Sequence, residues 1–342
     1  MRLVAIGGST GALDALRALV APLTHDLDMA FVVVVHSSPS HKTRLPQLLS
    51  SVSSLPTQMA YDGQTIESGR MYIAPANMHL MVYDGRLRVI MGPRENSHRP
   101  SIDVLFRSAA HVAGPDAVGV IVSGSLDDGS AGLAMIKRHG GIAIVQDPED
   151  ARASDMPRNA LSSTAVDYIL PAAEIGPQLI ELDAIKSDDA PGRSRWHLIP
   201  PDVNGMPSEE DFGQPSAFIC PECGGTLWEL HGEIANHYRC RVGHAYSPET
   251  LVEDKTKVLE ASLWTAVRSL QEQADFMKRV ADTARRGHTP ALVHNFEQKR
   301  RQALESRDAV RAVLQQLLDG NAKADQERED AEEPELAEGL AD

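Results

Sequence analysis

Leu3-Val4-Ala5-Ile6-Gly7-Gly8-Ser9-Thr10-Gly11-Ala12 decides how this chain is read. Four apolar residues, two of them β-branched, suit a short buried strand. A turn of small residues follows at once, and Leu13, Leu16 and Leu19 then recur at helical spacing. The unit is strand, tight turn, helix, and its turn carries a serine. Gly7-x-Ser9-x-Gly11 matches the elbow on which serine hydrolases expose a nucleophile, because glycines allow the sharp bend. A glycine-rich turn entering a helix equally suits a bound phosphate, which the free helix amides attract. This stretch alone leaves both readings open.

The same alternation continues outward. Residues 31–35 form a β-branched apolar run that stops at His36, and 44–51 suit a helix. Residues 71–74 read as a strand, and 79–83 with 87–91 flank Asp84-Gly85 as a hairpin. Ser101 is an N-cap for a helix through Val104 and Leu105. Residues 117–122 make a strand that runs into Ser123-Gly124-Ser125-Leu126-Asp127-Asp128-Gly129, followed by a helix with Leu133, Met135 and Ile136 apolar. Residues 142–145 and 168–170 are further strands, Met156-Pro157 opens a helix with proline at its first position, and 175–182 form the last helix. This order predicts an α/β, Rossmann-like domain over residues 1–185, a mostly parallel sheet with helices on both faces. Reacting groups in such folds collect beyond the carboxyl ends of the strands. Ser9, His36 and Asp128 all fall at such ends, so they form a candidate catalytic triad. Ser9 is the expected nucleophile, His36 the general base and Asp128 the group that orients it, with Asp127 a rival for the last role. Backbone amides near Ser9 and in the Gly124-Ser125-Leu126 turn would bind the oxyanion, each worth about 3 kcal/mol of barrier. The plainer alternatives are a strand-end histidine bonded to a loop and a turn aspartate.

Composition narrows the partners. The 342 residues carry 33 basic and 48 acidic side chains, a formal net charge of -15, which argues against a nucleic-acid surface. No apolar run is long enough for a membrane helix and no leader precedes Leu3, so a cytoplasmic protein is expected. Residues 186–216 hold charge, proline and glycine and read as a linker. Residues 247–319 carry apolar positions at 3-4 spacing on either side of Arg285-Arg286-Gly287-His288, which predicts a helical hairpin or coiled coil able to self-associate. Residues 320–342 form an acidic, alanine-rich tail expected to be disordered.

All three cysteines lie in Cys220-x2-Cys223-x16-Cys240-x3-His244. Three thiolates and an imidazole at this spacing complete a closed tetrahedral Zn²⁺ shell, so residues 217–246 are expected to be a zinc-ribbon-like module. Leu227 and Trp228 are its main apolar residues, and His231 and His237 are rival ligands. A structural metal of this kind supplies on the order of 10 kcal/mol of folding free energy.

Several separated motifs carry a resemblance. Ala5-Ile6-Gly7-Gly8-Ser9-Thr10-Gly11, Val35-His36-Ser37-Ser38-Pro39, His98-Arg99-Pro100-Ser101-Ile102-Asp103-Val104-Leu105-Phe106, Asp127-Asp128-Gly129-Ser130-Ala131-Gly132 and Gln146-Asp147 with Met156-Pro157-Arg158-Asn159-Ala160 resemble the catalytic domain of the chemotaxis protein-glutamate methylesterases, the CheB family. The resemblance implies a triad of Ser9, His36 and Asp128 and no cofactor for catalysis. It also implies hydrolysis of glutamate methyl esters, with deamidation of glutamines in some members, on the cytoplasmic helices of chemoreceptors. Two departures stand out. Typical family members carry a receiver domain before the esterase, whereas Leu3 here already opens the first strand, so control would come from a trans-acting regulator, from the C-terminal region, or not exist. The family also has Gly-Met-Gly where this chain has Gly124-Ser125-Leu126. The cysteine knuckles and Arg-x-Gly-His-Ala-Tyr-Ser-Pro resemble an extension attached to some relatives without a receiver. His98 lies in a family-like motif and is a further site candidate, whereas His41 and His79 suit surface or edge positions, and Arg99 suits either an acidic receptor helix or solvent. The alternatives to a protein methylesterase are a non-catalytic adaptor that keeps the fold and a small-molecule esterase or amidase.

Overall fold

Seven parallel strands form the main sheet of the computed structural model, which describes residues 1–36, 44–185, 212–230 and 237–331. In chain order the first strands are β1 (Arg2–Gly8), β2 (Met29–Val35), β3 (Thr57–Met59) and β4 (Arg70–Ile73). β5 (His79–Tyr83) and β6 (Arg86–Ile90) pair with each other as a separate two-stranded sheet, as the Asp84-Gly85 turn predicts. β7 (Ala117–Ile121), β8 (Ile142–Gln146) and β9 (Tyr168–Leu170) complete the sheet in the order β3-β4-β2-β1-β7-β8-β9. β3 was not expected. Its three residues are too few to show a period, and only pairing with β4 reveals it.

Helices cover both faces, and the period-2 alternation of the strands divides the core between them. Leu3 and Ala5 of β1 point to the side of α3 (Ile102–Ala113), α4 (Ser130–Arg138) and α5 (Asp155–Ser163), meeting Phe106, Leu133 and Met156. Val4 and Ile6 point to the side of α1 (Ala12–Val20), α2 (Leu45–Ser50) and α6 (Ala172–Ala184), meeting Leu16, Leu49 and Leu179. β1 is therefore buried on both faces, which is why it reads as an unbroken apolar run. α5 starts at Asp155, so Pro157 is its third residue rather than its first, still where a missing N–H costs no helical bond.

β10 (Phe212–Ile219), β11 (Thr226–Leu230), β12 (Tyr238–Cys240) and β13 (Ala245–Tyr246) form a small antiparallel sheet. β10 begins inside the stretch that composition suggests as linker. Pro215 is tolerated there because the strand lies at an edge and its register shifts around that residue. Residues Met1–Val252 make one compact unit that includes this sheet, and a second unit begins at Glu253. α7 (Pro248–Arg286) and α8 (Pro290–Ala331) are long helices. Within the second unit they run antiparallel, since Arg285 reaches Glu297 and Arg307 reaches Gln271. Ala274, Ala281, Ala303 and Leu314 are buried there. α8 continues past Gly320, where an unstructured tail was expected, because Ala, Lys, Gln, Arg and Glu there all favour helix.

Candidate active site and metal centre

The central strand and its two neighbours end together. Gly8 of β1 is in register with Val35 of β2, and Gly7 with Ile121 of β7. The ladder runs one step further, with the His36 N–H donating to the Gly8 carbonyl at 3.1 Å and the Ser9 N–H to the Ser123 carbonyl at 2.9 Å. Ser9, His36 and the turn after β7 are thus adjacent. The approach is close enough to need glycine, since a Cβ on Gly124 would stand 3.0 Å from the Ser9 Cβ and 2.7 Å from the Met156 sulfur. The Ser9 and Gly124 amides, both within the expected oxyanion region, are already engaged, Gly124 with the Ala153 carbonyl. Among the described residues, the Thr10 and Ser125 amides have no protein acceptor.

His36 Nε2 lies 2.8 Å from Asp128 Oδ2. Asp128 is buried and collects donors: the Ile102 N–H at 2.7 Å, the Asp103 N–H at 3.2 Å, the Ser101 hydroxyl at 2.8 Å and the Asn96 amide at 3.1 Å. Ser101 precedes α3 as expected but makes no side-chain cap of its own. Asp128, from a distant turn, caps that helix instead, and the helix amides favour its charge. Burial pushes the Asp128 carboxyl up, but the bond from His36, the His36 and His98 charges and the Ile102 amide outweigh it and hold the group well below the ordinary range. An ionised Asp128 requires Nε2 to carry a proton, which leaves Nδ1 as the nitrogen that carries the lone pair in a neutral imidazole. That nitrogen is buried and has no partner among the described residues.

Other expected residues find different places. His98 stacks on His36, with ring centroids 3.6 Å apart and planes 14° from parallel. His79 is buried rather than at the surface: it bonds the Pro93 carbonyl at 2.7 Å and accepts the Ser101 N–H, and burial lowers its pKa. Arg99 bonds Asn77 Oδ1 and the Gly92 carbonyl. Asp127 does not face His36 but takes the Ser247 and Thr250 hydroxyls, at 3.0 and 3.1 Å. His41 and His231 lie outside the described residues. Asn96 was missed. Its signal is faint, a polar residue two places before the His98 motif, and its partners come from distant segments. Leu126 has φ 64, the left-handed region that favours glycine. The turn is held in that shape by Asn159, whose amide donates to the Leu126 carbonyl at 3.1 Å.

The family model for CheB methylesterase matches residues 4–179. The chain belongs to the CheB methylesterase family. With that family it is a carboxylic ester hydrolase. The crystal structure of the Thermotoga maritima CheB methylesterase catalytic domain superposes with a TM-score of 0.51 at 32% identity, covering 53% of this chain and 98% of that one. A Leptospira interrogans protein is 36% identical over 181 residues, 53% of this chain and 94% of that one. The protein-glutamate methylesterase/protein-glutamine glutaminase 5 of Anaeromyxobacter dehalogenans is 40% identical over 185 residues, and the chain spans about half of its length. Residues beyond 179, with the small sheet, lie outside the CheB match.

Cys220, Cys223, Cys240 and His244 bring one ligand atom each to within 4.8 Å of one another. The Cys223–Cys240 sulfurs are 3.6 Å apart, and His244 Nδ1 lies 3.6 and 3.5 Å from the Cys220 and Cys240 sulfurs. Ligands around a tetrahedral zinc stand about 3.8 Å apart for two thiolates and about 3.6 Å for thiolate and imidazole, so the set fits such an ion. A disulfide needs sulfurs about 2.05 Å apart. His244 Nε2 meets Glu222 at 3.1 Å, the outer carboxylate that metal-binding histidines use. His237 is not in the cluster. Trp228 is only half-buried, under Arg241, and the module's small core is Leu227, Tyr246 and Leu251 around the cysteines.

Proposed function

We propose that this chain hydrolyses γ-methyl esters of glutamate on chemoreceptor-like cytoplasmic helices, with Ser9, His36 and Asp128 as its triad. The observation that carries the assignment is the His36 imidazole, tied at Nε2 to a buried carboxylate and unpartnered at a buried Nδ1, on a residue whose backbone bonds Gly8, the neighbour of Ser9. A buried acceptor without a donor is costly, and a catalytic role is one reason for a fold to keep it. In this reading Nδ1 takes the Ser9 proton as Oγ attacks the ester carbonyl, and Asp128 stabilises the imidazolium. The Thr10 and Ser125 amides, which bond no protein acceptor among the described residues, are candidate oxyanion donors. The imidazolium gives its proton to the departing methoxide, methanol leaves, and water then cleaves the serine ester with His36 again as base. Glutamine deamidation follows the same steps with ammonia as leaving group.

Zn²⁺ held by Cys220, Cys223, Cys240 and His244 would be structural, since its four protein ligands leave no open position. Exposed apolar residues on the long helices, Trp264, Phe276 and Leu292 among them, support self-association. The test is methanol release from a receptor fragment carrying methyl-glutamate. Release that disappears in Ser9→Ala supports the assignment, and equal release from both proteins refutes it.

A further inference from the structure

The small sheet reaches the hydrogen-bond shell of Asp128. Residues 94–96 run beside β13: the Asn96 N–H donates to the Ala245 carbonyl at 2.9 Å and the Ala245 N–H to the Arg94 carbonyl at 3.2 Å. Glu95 is gripped from two sides, by Arg107 of α3 at 2.6 Å and by Arg239 of β12 at 3.0 Å. Arg239 directly precedes Cys240. Asn96 then closes the link. Its side-chain carbonyl accepts the Ser247 N–H at 3.0 Å, and its amide donates to Asp128 Oδ1 at 3.1 Å and to Asp103 Oδ2 at 2.9 Å. The backbone of Asn96 sits at φ 49, a conformation that asparagine tolerates. One buried side chain thus contacts the segment that follows β13 at one end and the carboxylate that holds His36 at the other.

We propose that the cysteine–histidine module is a positioning element of the esterase site: it fixes Asn96, and Asn96 fixes Asp128. The inference rests on the reading of Ser9, His36 and Asp128 as catalytic. Asn96 makes three bonds in one orientation, and losing the Ser247 N–H removes the bond that holds its carbonyl end. The amide is then free to turn from Asp128. Asp128 keeps the Ile102 and Asp103 amides and the Ser101 hydroxyl, so it stays charged but less firmly aimed at His36. Asn96 is a positioning residue, and the substrate-facing Ser9 turn does not depend on it. The expected signature is a lower kcat at unchanged KM.

The experiment uses the full chain. Asn96→Gly keeps the left-handed backbone and removes the side chain, and Arg239→Gln breaks the grip on Glu95 from the module side. Each variant is expected to lower kcat on the methyl-ester substrate about tenfold, with KM unchanged. The downfield proton resonance of His36 Nε2–H, bonded to Asp128, is expected to move in both. A kcat within about twofold of wild type and an unmoved resonance in both folded variants would overturn the proposal. If Asn96→Gly does not fold, Arg239→Gln at the seam decides alone. A wild-type protein that cleaves no ester defeats the catalytic reading instead, and the resonance then decides whether the module is coupled to Asp128.

Discussion

At the level of single residues, the site is a set of charges whose neighbours decide their state. Asp128→Asn keeps the shape but offers His36 an amide in place of an anion. If the proposed triad acts, turnover is expected to fall by roughly 10⁴-fold, as for the equivalent change in serine triads, measured as methanol release. Asp127 behaves in the opposite way to its neighbour. Burial raises its pKa from 3.8 to about 6, against the two hydroxyl bonds that lower it. The folded state therefore holds an extra proton between those values. Stability from this group is greatest below about pH 4 and is lost as pH rises through 6. Asp127→Asn keeps an oxygen acceptor for Ser247 and Thr250 and removes that loss. It is expected to stabilise the protein at pH 8 by about 1–3 kcal/mol, and much less at pH 4, in urea titrations. Leu126→Gly should gain about 1 kcal/mol in the same assay by relieving the left-handed backbone. The pairing of His36 with Asp128 was legible in the sequence because His36 ends one apolar run and Asp128 lies in the turn that follows another. Asn96 was not, because its role depends on partners 32 and 151 positions away, which no local pattern records.

Elements show the same division between local and distant causes. β1, β2 and β7 announce themselves, since strands covered on both faces must be continuously apolar. β3 and β10 do not: one is three residues long, and the other is an edge strand interrupted by proline. α3 was legible through Ser101, yet the group that caps it is Asp128, so the true cap could be found only in three dimensions. The small sheet depends on its knuckles. Its core is Leu227, Tyr246 and Leu251 with the cysteines, too little to fold unaided. Cys223→Ser is expected to reduce bound zinc below one equivalent, read by metal analysis. Chelation is expected to raise hydrogen exchange in β11 and β12 while β1 and β2 stay protected.

Across the whole molecule, the heptad-like spacing made the helical hairpin visible in sequence, but the exact extent of α8 was not, because a polar tail with good helix formers looks the same whether coiled or helical. The exposed side chains of Trp264, Phe276 and Leu292 are expected to give a concentration-dependent sedimentation coefficient, and Phe276→Glu to reduce that dependence. The bond from Ser247 to Asn96 has one more consequence, in time rather than in space. A ribosome adding about 5–20 residues per second needs roughly 8–30 s to travel from residue 96 to residue 247. From residue 170 to the end of that interval the nascent chain has every strand of the main sheet in hand, but not the last partner of Asn96. On the proposed coupling, the order of synthesis makes the fully braced site a late product of translation, and an early stop before Ser247 is expected to leave Asp128 with the Ile102, Asp103 and Ser101 donors but with Asn96 unheld at its carbonyl end.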